Sequence, residues 1–123
     1  MKFPRSALYR ISATLELITG ITLLCLPGLM VQQLFQTDAN GAPLHMAQLY
    51  GIALVGLGVA SSSEPCPPSA QRGLLIYNSS AALLLIALKA QGISQGLVVW
   101  AAAGLHLVLG ILMMIDQRQP RSH

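Results

Sequence analysis

The chain has 123 residues, of which 54% are hydrophobic and 9% charged, with a net charge of +3. A water-soluble domain carries about 25% charged residues, so this composition excludes an ordinary soluble surface, including that of a soluble helical bundle. It also excludes a nucleic-acid binder, because the basic residues lie at the ends of apolar segments rather than on one face.

A helix needs about 20 mainly apolar residues to cross a bilayer. The first segment that qualifies runs from about Leu8 to Leu26 and is expected to stop at Pro27-Gly28. Its basic start resembles that of a signal peptide. Glu16 in the apolar part and the lack of a small-x-small site predict that it is retained. Residues 27–43 form a long connection. Within it Met30, Val31, Leu34 and Phe35 fall on one helical face and Gln32, Gln33 and Gln36 on the other. That pattern fits either a short interfacial helix over about 29–36 or an ordered outer loop, followed by the turn Asp38-Ala-Asn-Gly41. The second span runs from about Leu44 to Ser62, and Ser61 to Pro68 reads as a Pro-stiffened polar linker. The third covers about Gly73 to Ala90. After a turn at Gln91-Gly92, the fourth covers about Ser94 to Ile115.

The predicted fold class is therefore an all-α integral membrane four-helix bundle, a single transmembrane domain over residues 1–123. Lys2, Arg5, Arg10, Arg72, Arg118 and Arg121 fall on one side of such a bundle and Lys89 alone on the other. That split places both termini in the cytoplasm. Ala47, Gly51, Gly56, Gly58 and Ala60 in the second span, and Ala101 to Gly104 with Gly110 in the fourth, let helices approach closely. Both spans are read as interior elements of the bundle or of a dimer interface.

Glu16 is the anomaly, because a carboxyl inside a span is costly and points to function. Depth follows from the helical rise: Glu16 lies about 12 Å from the cytoplasmic end of its span, Asn78 about 9 Å and His106 about 14 Å. Three strongly polar residues from three helices thus share one layer. Each lies on a small-residue stripe: Glu16 with Ser12, Thr19 and Gly20, Asn78 with Ala81 and Ala82, and His106 with Ala102, Ala103 and Gly110. Glu16, Asn78 and His106 are expected to form one buried cluster, with Tyr77 or Tyr50 as further hydrogen-bonding partners. Such a cluster could hold or pass a proton or bind a ligand. A staple that fixes helix register is the competing reading.

Other motifs carry less. Asn78-Ser-Ser80 matches a glycosylation pattern but lies inside a span. Cys25 and Cys66 fall at opposite ends of the bundle and form no CxxC motif. His45 and His106 differ in depth by about 18 Å, which argues against bis-His haem, although His106 stays open to single-His ligation. No metal site and no cofactor are assigned, since His106 and Glu16 alone are too few ligands. Trp100 and Tyr9 read as interfacial anchors, and Trp100 lies deep enough to line a cavity. Met113-Met114 reads as packing, and Asp116 to His123 as a solvated end whose Arg118 and Arg121 could touch anionic lipid.

Four stretches together carry a family resemblance: "LELITGITLLCLPGL", "LYGIALVGLGVA", "RGLLIYN" and "WAAAGLHLVLGIL". They resemble the small four-span bacterial membrane proteins of the DoxX-like group, whose fold is similar to that of sterol isomerases. The resemblance implies a bacterial inner-membrane location and a pocket for a lipophilic ligand lined by Glu16 and His106. "ATLELITGITLL" is also similar to the first span of small multidrug resistance transporters, in which a lone Glu exchanges protons for cationic drugs within a homodimer. This chain departs from them in its longer first outer loop, in a third span without Trp, and in His106. Three function classes follow. The leading one is a protein that binds a lipophilic molecule or membrane lipid near Glu16, Asn78, His106, Tyr77, Tyr50 and Trp100. The others are a proton-coupled exporter working as a homodimer and an accessory subunit of a larger membrane complex.

Overall fold

A computed structural model describes residues 4–120; Lys2, Arg121 and His123, named above, lie outside the described residues. Five helices follow in order: α1 (Arg5–Cys25), α2 (Pro27–Phe35), α3 (Ala42–Ser61), α4 (Pro68–Ala90) and α5 (Leu97–Arg118). No strand occurs among the described residues. Helices α1, α3, α4 and α5 have 20 to 23 residues each and are long and apolar enough to cross a membrane. At the helical rise they are about 30–35 Å long, close to the hydrocarbon thickness.

The helix boundaries show what proline does. Pro27, expected to end the first span, instead occupies the first position of α2, and Leu26 alone forms the joint. Pro68 opens α4 in the same way, which puts Arg72 inside the helix rather than between spans. Proline's fixed φ suits a first helical turn, where its missing N–H leaves no bond unmade. At the start of α5, Gly96 adopts a φ of 108°, which favours glycine, so the helix starts three residues later than expected. The intervening Ser94 is 1% exposed and donates its hydroxyl to the Leu34 carbonyl of α2. On α2, Met30, Val31, Leu34 and Phe35 are half-buried while Gln32, Gln33 and Gln36 are exposed.

The long helices pack as two antiparallel pairs, α1 with α3 and α4 with α5. The α1–α3 pair is set by glycine. A Cβ on Gly20 would lie 2.7 Å from the Gly51 carbonyl oxygen, and one on Gly58 would lie 2.6 Å from Leu17 Cγ. Contacts between the two pairs are sparser. A core of Leu8 and Tyr9 (α1), Leu74 (α4), and Leu109 and Met113 (α5) joins the pairs near one end of the bundle.

The second and fourth spans each have one buried face and one exposed face. Helix α3 turns Gly51, Leu54, Gly58 and Ser61 inward but leaves Met46, Ile52 and Val59 outside, and α1 is the most buried span. Gly56 and Gly104 face open space. Two residues near the charged end also differ from expectation. Tyr9, expected as an interfacial anchor, is 2% exposed and donates to Asp116 Oδ2 at 3.0 Å. Asp116, expected in a solvated tail, also pairs with Arg5, whose Nη2 donates to the Asp116 carbonyl at 2.8 Å.

Candidate functional site

The core positions lead directly to the polar residues. One turn from Leu8 along α1 stands Ser12, and one turn further Glu16. One turn from Leu74 along α4 stands Asn78, and one turn back from Leu109 along α5 stands His106. Residues four apart share a helical face, so the stripe that buries the core also turns these side chains inward. Glu16 is 1% exposed, Asn78 and Ser12 are 0% exposed, and His106 and Tyr77 are half-buried.

Asn78 is the hub. Its amide nitrogen donates to the Leu74 carbonyl at 2.9 Å and to Ser12 Oγ at 3.2 Å. Its amide oxygen is 2.8 Å from His106 Nδ1. These bonds tie α1, α4 and α5 together at one level. Tyr77, the next residue along α4, meets the His106 ring edge-on, with centroids 5.4 Å apart and an interplanar angle of 89°. Its hydroxyl bonds to that of Tyr50 on α3, and it also neighbours the Glu16 carboxyl. All four long helices therefore contribute to one layer. Within it Glu16 Oε1 is buried and has no hydrogen-bond partner.

Five of the six expected residues thus lie in this layer: Glu16, Asn78, His106, Tyr77 and Tyr50. Trp100 does not join them. It is 55% exposed, and the Lys89 ammonium sits 5.9 Å from its ring centroid, a cation–π arrangement at the end of the bundle away from the Arg5–Asp116 pair. Ser12 was missing from the expected set although it precedes Glu16 by one turn on the same face. That spacing was the available signal.

Two clefts lie outside the layer. One of about 420 Å³ runs along α1 past Arg10 and Thr14. The other, of about 310 Å³, lies at the charged end between Arg5, Cys66, Arg72 and Gln117. No layer residue lines either one. No group of three or more His, Cys, Asp or Glu side chains able to hold a metal occurs among the described residues. Compared with known protein families, with curated proteins and with solved structures, the chain finds no match.

Proposed function

We propose that this chain is a small integral membrane protein of the bacterial inner membrane, with both termini in the cytoplasm, and that its Glu16 layer binds a lipophilic molecule or lipid. A DoxX-like relationship belongs to this proposal, resting on the four sequence stretches quoted above. The observation that carries the binding reading is Glu16 Oε1, a buried carboxyl oxygen without a partner. Leaving a buried acceptor unmade costs about 1–3 kcal/mol, more if charged, and a structural staple has no reason to carry that cost. The sparser packing between the two helix pairs is where a guest could enter.

The test is mass spectrometry of molecules that co-purify with the protein in native lipid discs. An apolar compound enriched in the wild type and depleted in Glu16→Gln supports the reading. Identical extracts from both proteins overturn it.

One observation favours proton-coupled export as a second reading. The bonded hydroxyls of Tyr50, a half-exposed residue, and Tyr77 lie beside the buried Glu16 carboxyl and put exchangeable hydrogens near it. That reading expects substrate-driven proton movement in liposomes that Glu16→Gln abolishes. Silent liposomes would dismiss it.

A further inference from the structure

The hydrogens of Asn78 and His106 can be assigned atom by atom. A backbone carbonyl only accepts, so the Asn78 atom 2.9 Å from the Leu74 oxygen is the amide nitrogen. Its second hydrogen goes to Ser12 Oγ. The Asn78 oxygen must then face His106, and it too only accepts, so Nδ1 of His106 carries the hydrogen. In a neutral imidazole this makes Nε2 an acceptor. No described residue donates a hydrogen bond to it.

Glu16 Oε1 is the second open acceptor. Ionised or neutral, the Glu16 carboxyl keeps at least one acceptor oxygen. The layer therefore has two open acceptors, Glu16 Oε1 and His106 Nε2.

From these open acceptors we infer that the layer selects an apolar molecule bearing a hydrogen-bond donor, a lipophilic alcohol or amine, with a donor hydrogen for His106 Nε2 or Glu16 Oε1. Tyr50, 45% exposed on α3 and bonded to Tyr77 on α4, marks the side from which such a molecule reaches them out of the lipid. The inference rests on the binding reading above and adds the class of ligand. Apolar molecules that only accept, such as ethers and esters, leave both acceptors unpaired and are discriminated against.

The experiment uses the full chain in phospholipid nanodiscs, labelled with ¹⁵N-histidine and titrated with 1-dodecanol or with dodecyl methyl ether. The His106 signal is identified by its loss in His106→Gln. Affinity is read by competing tritiated dodecanol with each unlabelled compound. The expected result is an Nδ1–H tautomer at His106 before ligand is added, an Nε2 resonance that moves with the alcohol and not with the ether, and at least tenfold weaker competition by the ether. An Nε2–H tautomer in the free protein overturns the inference. Equal competition by alcohol and ether overturns it too but leaves the lipophilic-ligand reading standing. No saturable dodecanol binding overturns both.

Discussion

Asn78 shows how much one side chain can carry in an apolar setting. It bonds Leu74, Ser12 and His106 at once, and its removal takes away the only hydrogen-bond partner of Ser12 Oγ and of His106 Nδ1 among the described residues, while the Leu74 carbonyl keeps its helical bond. Asn78→Ala is expected to destabilise the bundle by about 1–3 kcal/mol, read as the shift in an SDS-unfolding midpoint in mixed micelles. An unchanged midpoint would mean the hub is not formed. Cys66 gives a second test at this scale, in the linker outside the spans. Burial pushes its thiol above the ordinary range, because the thiolate loses solvation. At a given pH near neutral it therefore holds less thiolate than a free cysteine. Its alkylation by iodoacetamide should be slower than in the denatured chain, and the inflection of its pH–rate curve should move to higher pH. An inflection at or below that of the denatured chain would refute the burial argument. The depth of Glu16, Asn78 and His106 was legible because the helical rise and the number of crossings set it. Trp100 was misplaced because depth was counted without rotation. It precedes His106 by six residues, about 240° round the helix, and so points elsewhere.

At the scale of the helices, glycine spacing decides which faces meet. Gly51 and Gly58 are seven residues apart, two turns, and both lie against α1. Gly56 is five residues from Gly51, about 140° round the same helix, and faces open space. All three look alike as a small-residue run in the sequence. Composition therefore shows that close packing exists, and only rotational phase shows where. Gly51→Leu should separate α1 from α3, since even its Cβ would lie 2.7 Å from the Gly20 carbonyl oxygen. A loss of about 1–3 kcal/mol is expected in the same SDS titration. Gly56→Ala and Gly104→Ala meet nothing within 4 Å and should shift stability by about 0.5 kcal/mol or less. Equal effects at all three positions would show that the α1–α3 pairing is wrong. The misjudged helix starts have a local cause as well. Pro27 reads as a stop when the chain before it is helical, yet the same proline is well placed to begin the next helix.

At the scale of the molecule, side-chain bonds show which helix ends lie together. Arg5 at the start of α1 pairs with Asp116 near the end of α5. Arg10 approaches Glu64 of the linker at 3.7 Å. Gln117 donates to the Gln71 carbonyl at 3.0 Å, and Gln71 to that of Cys66 at 2.8 Å. These exposed and half-exposed bonds add little stability. They do place the start of α1, the α3–α4 linker and the end of α5 at one end of the bundle. Gln48 of α3 and Leu24 of α1 meet at the other end, with a donor–acceptor distance of 3.3 Å. Arg5, Arg10, Arg72 and Arg118 therefore share an end, and Lys89 lies at the opposite one. The proposed orientation follows from that charge asymmetry. The two cysteines make it measurable without any substitution. Cys25 is exposed at the Lys89 end, and Cys66 lies in the linker at the arginine-rich end. In intact bacteria with a permeabilised outer membrane, an impermeant maleimide should label Cys25 and spare Cys66. Labelling of Cys66 should appear only after the inner membrane is opened. Its slow chemistry is controlled by labelling the opened cells to completion. The reverse order would turn the protein over in the membrane, and simultaneous labelling of both thiols in intact cells would mean that these helices do not span it.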